Sequence, residues 1–141
     1  MVTWQKWLGT ILMAATLNAC ASHTETLYQE LGGASAIDAI VEHFINEIEH
    51  DETVLPYFRG SDIARFRKGF SLHLCSVTGG PCDYDGDTMV RVHGGMSITE
   101  SDFNRTVDLL IRAMDNADIP HRLQNQILAK LTPFRKDIIY Q

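Results

Sequence analysis

Six apolar residues at helical spacing constrain this chain more than any other feature. Ile37, Ile40, Val41, Phe44, Ile45 and Ile48 fall on one face of a 3.6-residue helix. Asp38, Glu42, Asn46, Glu47 and Glu49 fall off that stripe, so the helix must bury one side and wet the other. The flanking signals agree. Thr26 with Gln29 has the form of a capping box, opening a short helix that Gly32-Gly33 ends. Pro56 breaks the long stripe, and Ser61 or Asp62 is placed to cap the next one. That second stripe is Ile63, Phe66, Phe70, His73/Leu74 and Val77, stopped by Gly79-Gly80-Pro81.

From Cys82 onward the pattern weakens. Asp83, Asp85, Gly86 and Asp87 predict an irregular loop, followed by a turn or two of helix over Met89-Val90-Arg91-Val92-His93. Thr99 and Asp102 form a second capping box, with Ile98 and Phe103 placed as a hydrophobic staple and Val107, Leu110 and Met114 carrying the helix on. Pro120 suits the first turn of a last helix with the stripe Leu123, Ile127, Leu131, Phe134 and Ile138, which Pro133 kinks or interrupts. No β-type alternation competes. The expected fold class is all-α with short connections.

Composition narrows the function. A chain of 141 residues is one domain, and its 45% hydrophobic content is enough for a packed core. Twelve Lys and Arg against 18 Asp and Glu leave a net charge of -6, which excludes the basic footprint of a nucleic-acid binder. Three cysteines without a Cys-x-x-Cys pair, and no His-Glu-x-x-His run, give no zinc site.

The beginning of the chain differs from the rest. Lys6 is the only charge before Glu25, and Trp7 to Leu17 is almost purely apolar, too short to span hydrocarbon comfortably. Residues 1–19 are expected to be an export signal and 20–25 a tether, with the folded domain over 26–141. Ala19-Cys20 after the apolar run resembles a bacterial lipobox, although Asn18 replaces the usual small or branched residue. That resemblance implies a lipoprotein held on the periplasmic face of a membrane through lipidated Cys20. Plain secretion, with cleavage near Ala19 or Ala21, and an uncleaved anchor are the alternatives. In an oxidising compartment Cys75 and Cys82, separated by the glycine turn, either form a disulfide or are held apart by the helix end.

Six histidines are the candidates for chemistry. His23 lies in the tether, His50 and His121 sit beside charges near helix ends, and His43 points off the apolar stripe. His73 lies within an apolar face, where a buried imidazole bonded to a backbone carbonyl is the plain reading. His93, between Val92 and Gly94-Gly95, is the sharper case. A neutral imidazole presented from an apolar wall is an iron ligand of the kind haem requires, and Phe44, Phe58, Phe66, Phe70 and Phe103 supply flat apolar surface. By spacing alone a core histidine remains open.

Several separated motifs in register resemble the first group of truncated haemoglobins. They are Leu27-Tyr28-Gln29-Glu30-Leu31-Gly32-Gly33, Phe58 after Pro56-Tyr57, Gly79-Gly80-Pro81, Tyr84-x-Gly86, and Met89-x-x-x-His93 followed by Ile98-Thr99. The resemblance covers nearly all of residues 26–134. It implies a two-over-two helical sandwich around haem b, with His93 as the proximal iron ligand and Phe58 stacked on the ring. It places Phe66, Phe70 and His73 along the distal helix and Met89, Val92, Ile98, Phe103 and Leu131 in the haem envelope. Arg65, Lys68 or Arg91 would pair with the propionates.

Two positions depart from the family's pattern. Ile45, next after Phe44, stands where a distal tyrosine is usual, and Phe70 replaces a glutamine often found on the distal helix. The polar clamp for dioxygen is absent, and His73 is the remaining distal-side polar group, as a donor or as a sixth iron ligand. The resemblance therefore implies a protein that reversibly binds a diatomic gas. The alternative is an enzyme that consumes nitric oxide or peroxide and needs an external reductant. A helical lipoprotein without haem is the third possibility.

Overall fold

The computed structural model describes residues 24–141. The expected signal over residues 1–19, Cys20 and His23 lie outside the described residues. Six α-helices follow in order: α1 (Leu27–Leu31), α2 (Ala34–Glu49), α3 (Ile63–Val77), α4 (Met89–His93), α5 (Glu100–Asn116) and α6 (His121–Leu131). Two 3₁₀ turns, Leu55–Phe58 and Thr132–Asp137, complete the regular structure. Among the described residues no helix is long and apolar enough to cross a membrane.

The local signals act as read. Thr26 and Gln29 close a reciprocal capping box on α1, and Gly32 follows in the left-handed conformation (φ 106°), satisfying the carbonyls of Tyr28 and Gln29. Asp62, rather than Ser61, caps α3 by accepting from the Arg65 amide. Thr99 and Asp102 form the second capping box, at the start of α5. All six residues of the α2 stripe are buried. That helix packs against both α3 and α5, while α6 packs against α1, α3 and α5. The pair α2 and α3 thus lies across the pair α5 and α6, a two-over-two helical sandwich.

Three readings are refined. The buried face of α5 includes Leu110 and Met114 as read, adds Leu109 and Ala113, and leaves Val107 half-buried. Pro120 sits at the N-cap of α6 rather than inside its first turn, where its extended ψ of 138° sets the chain direction. Of the two roles read for Pro133, interruption is the one found: α6 ends at Leu131 and the chain tightens into the 3₁₀ turn Thr132–Asp137.

Cys75 and Cys82 form a disulfide, with Cα atoms 6.0 Å apart. Gly80 makes the closure possible, since a Cβ there would meet the Cys75 sulfur at 2.6 Å and the Tyr28 ring at 2.7 Å. The bridge ties the last turn of α3 to the loop that leads into α4.

Candidate functional site

Four phenylalanines converge where α2, α3 and the first 3₁₀ turn meet. Phe44 lies 5.3 Å from Phe70 and 6.4 Å from Phe66, ring centre to ring centre. Phe66 stacks on Phe70 at 5.7 Å and meets Phe58 edge-on at 4.9 Å. The one-turn spacing of 66 and 70 places both on one face of α3, and Phe44 is driven there by the buried stripe of α2. Ile45, beside Phe44, is buried, and an apolar cavity of about 240 Å³ adjoins it, lined also by Ile48, Leu55, Phe58, Ile63 and Phe66. Glu49 is the sole charged residue in that wall.

His93 is the last residue of α4, a single turn capped by Thr88, which accepts from the Arg91 amide. The Met89 carbonyl lies 2.9 Å from His93 Nδ1. A carbonyl only accepts, so Nδ1 carries the proton and Nε2 keeps its lone pair. Partial burial, which favours the neutral form, pushes the imidazole below its ordinary pKa, against a smaller upward pull from the Met89 hydrogen bond. The α4 turn packs on the second 3₁₀ turn. Val90 and Val92 do not form a closed wall beside His93: they are 44% and 48% exposed.

His73 is buried on α3, with its ring between the edges of Tyr84 at 5.1 Å and Phe134 at 4.9 Å. Burial first, and then the charge of His93, lower its pKa. The expected backbone partner is missing: no hydrogen bond to its ring is present among the described residues. Phe134 and Tyr84 occupy the neighbouring space and offer no acceptor there, the Tyr84 hydroxyl donating to the Asp87 carbonyl at 2.9 Å.

The remaining predicted residues lie around this region. Ile98 is buried and its carbonyl accepts from the Tyr140 amide. Phe103 is half-buried, with the Arg135 guanidinium 5.7 Å above its ring. Leu131 is partly buried against the core, and Met89 is half-buried. Of the proposed cations, Arg91 pairs with Asp87 at 3.4 Å, while Arg65 and Lys68 are exposed. His43 is half-buried and His50 and His121 are exposed, as expected of bystanders.

Two polar links escaped the sequence reading. Asp51 is buried, accepts from the Thr53 and Val54 amides and receives Arg105 Nε at 2.7 Å. The Tyr57 hydroxyl donates to Asp102 at 2.7 Å. Both fasten the segment carrying Phe58 to the start of α5. A Tyr or Asp in a loop gives no local signal that its partner lies 45 or 54 residues away.

The fold, a two-over-two helical sandwich that carries an aromatic cluster and a histidine with its Nε2 unprotonated, is that of a globin of the shortened type. A family model described as bacterial-like globin matches residues 26–140, and the chain belongs to that family. The group 1 truncated haemoglobin GlbN of Mycolicibacterium paratuberculosis is 28% identical over 113 residues, covering 80% of this chain and 83% of that protein. The group 1 truncated haemoglobin of Tetrahymena pyriformis is 27% identical over 115 residues, covering 82% and 95%. The crystal structure of the Tetrahymena pyriformis protein in its Fe(III) form superposes with a TM-score of 0.79 at 26% identity, covering 83% of this chain and all of that one.

Membership implies haem as the cofactor, and the donor chemistry fits it. The Met89 carbonyl engages Nδ1 of His93 and so fixes the ring, leaving Nε2 as the donor atom, and an aromatic cluster of Phe44, Phe58, Phe66 and Phe70 supplies flat apolar surface. Among the described residues no group of three or more His, Cys, Asp or Glu is placed to hold a bare metal ion.

Proposed function

We propose that the domain reversibly binds a diatomic gas, dioxygen, nitric oxide or carbon monoxide, at a haem b iron held by His93. The hydrogen bond from His93 Nδ1 to the Met89 carbonyl carries this reading, because it fixes the tautomer in which Nε2 is an iron donor. Haem, when bound there, would supply an iron able to take up the gas. Phe58, Phe66, Phe70 and Phe44 exclude water around it, with Ile45 beside them, and Met89, Val92, Ile98, Phe103 and Leu131 form the rest of the envelope. Single-domain architecture leaves any nitric-oxide or peroxide turnover dependent on an external reductant.

His93→Ala tests the assignment: it should abolish most haem retention in protein expressed with haem available. It should also lower stability, since a ligand held by the native state at a hundred times its Kd contributes about 2.7 kcal/mol. A variant that keeps the normal deoxy spectrum overturns the reading. Nitric oxide consumption with a reducing system separates the binding protein from the enzyme.

The same reading includes export, with Cys20 lipidated on the periplasmic face of a membrane. The Cys75–Cys82 disulfide supports an oxidising destination. Metabolic labelling with a fatty acid, lost in Cys20→Ser, tests it; an unlabelled protein released as a soluble form refutes the lipid anchor.

A further inference from the structure

The segment 51–58, which leads from α2 into the first 3₁₀ turn, is held to α5 by two polar links of unequal depth. At its start Asp51 is buried, accepts from the Thr53 and Val54 amides, and receives Arg105. Near its end the Tyr57 hydroxyl donates to Asp102 at 2.7 Å, and both side chains are only half-buried. Asp102 and Arg105 are three residues apart and so share one face of α5. The first link is a fixed hinge, with Val54 at 1% exposure anchoring it in the core. The second is an outlying catch. Beyond it the chain turns through Arg59 and Gly60, both exposed, with Gly60 in the left-handed conformation (φ 78°).

Phe58 lies between the catch and that turn, edge-on to Phe66 at 4.9 Å. The catch also joins the chain neighbours of two residues of the haem envelope, since Tyr57 precedes Phe58 and Asp102 precedes Phe103. Its acceptor is set in advance: the Thr99 hydroxyl and amide donate to the same Asp102 Oδ2 at 2.6 and 3.1 Å. The bond is felt at both ends. It lifts the Tyr57 hydroxyl above its ordinary pKa and, after Thr99, helps to hold the Asp102 carboxyl below its own. Hydrogen bonds to an ionised acceptor are roughly twice as strong as neutral ones, so a single hydroxyl suffices to keep the segment closed. We propose that Tyr57 is a positioning residue: latched to Asp102 it holds Phe58 in the haem envelope, and the opening of this latch sets the rate at which haem is lost. The claim rests on the haem reading of His93.

The test follows transfer of haem from the loaded full-length protein to an excess of apomyoglobin, beside a thermal melt of each variant. Tyr57→Phe removes one oxygen and should speed transfer about tenfold, the low end for a bond to a charged group, because both partners are half-buried. Asp102→Asn keeps an acceptor and should recover most of the native rate. In the Asp102→Ala background Tyr57→Phe should change nothing, because its partner is already gone. A merely structural role would move the melt instead. Gln124→Ala breaks the bonds to Asp115 and the Ile119 carbonyl at the far end of α5, and should lower Tm while leaving transfer at the native rate. Native-like transfer from Tyr57→Phe, an acceleration that persists in the Asp102→Ala background, or an equal acceleration by Gln124→Ala overturns the latch while leaving His93 intact. Failure of the native protein to take up haem overturns the His93 reading and this one with it.

Discussion

Placing a phenol at Ile45 should turn a protein that releases dioxygen quickly into one that holds it. Ile45 is buried beside Phe44, and the side chains nearest it on α2 and α3 carry no hydrogen-bond donor. The tyrosines closest in sequence to the predicted envelope are already committed: Tyr57 donates to Asp102 at 2.7 Å and Tyr84 to the Asp87 carbonyl at 2.9 Å. Overpacking a core ordinarily costs about 1–3 kcal/mol, but the cavity of about 240 Å³ lined by Ile45, Phe58 and Phe66 gives the larger ring somewhere to go. A donor to partly anionic dioxygen forms a charge-assisted bond worth roughly 1.5–3 kcal/mol. At about 1.4 kcal/mol per factor of ten, Ile45→Tyr should slow dioxygen dissociation by about tenfold to a hundredfold. Carbon monoxide, far less polar when bound, should change little. Stopped-flow displacement of dioxygen by carbon monoxide measures both variants directly. If the native protein already releases dioxygen slowly, and His73→Leu leaves that rate unchanged, the apolar-pocket argument fails.

Reducing the Cys75–Cys82 bridge should destabilise the domain by about 2.5 kcal/mol, the loop-entropy value for a separation of 7 residues, or about 10 °C in Tm. Mass measurement before and after reduction of envelope-isolated protein, followed by thermal melts, checks it; two free thiols would refute the bridge. Burial raises the Asp51 pKa, yet Arg105 and the Val54 and Thr53 amides outweigh it and hold the carboxyl below its ordinary value. That stabilisation should be complete above the unfolded carboxylate pKa, about 3.9, and fade as pH falls through the lower folded value. Asp51→Ala should cost about 3 kcal/mol near neutral pH, the low end for breaking a buried pair, because the Arg105 side chain is 36% exposed and rehydrates. Denaturant titrations at pH 7 and pH 3 should show the native and variant proteins converging at the lower pH.

Local signals in this chain were legible because their partners are close in sequence. Thr26 finds Gln29 and Thr99 finds Asp102 within one turn, and the α2 stripe buries all six members whatever it packs against. The α5 face was legible in part: Leu110 and Met114 are buried as the spacing implies, whereas Leu109 and Ala113 are buried in the packing against α2 and α6. Asp51 lies in a charged stretch, His50-Asp51-Glu52, that reads as solvated; only the arrival of Arg105 from α5 makes it a buried clamp. The same holds for His73. Its burial follows from the stripe, but its ring neighbours are Tyr84 from the loop and Phe134 from the C-terminal turn, which no spacing rule brings to α3.

These polar contacts divide the molecule's work. The clamps Asp51–Arg105 and Tyr57–Asp102 hold the Phe58 segment to α5, the Glu100–Arg135 pair holds the C-terminal turn to α5, and the disulfide holds the α4 loop to α3. The three polar fastenings each engage a donor, Arg105, Tyr57 or Arg135. What faces inward is carbon, together with two imidazoles whose burial favours the neutral form. Such a surface gives a bound gas little polar stabilisation and leaves nitrogen lone pairs as its main chemistry. Competition for the iron by His73 would tax every gas equally and give no discrimination among diatomic ligands, whereas a hydrogen bond from it would favour dioxygen. Comparing the dioxygen and carbon monoxide affinities of the native protein with those of His73→Leu distinguishes the two: competition predicts that both affinities rise by the same factor, whereas a hydrogen bond from His73 predicts that the dioxygen affinity falls and the carbon monoxide affinity stays.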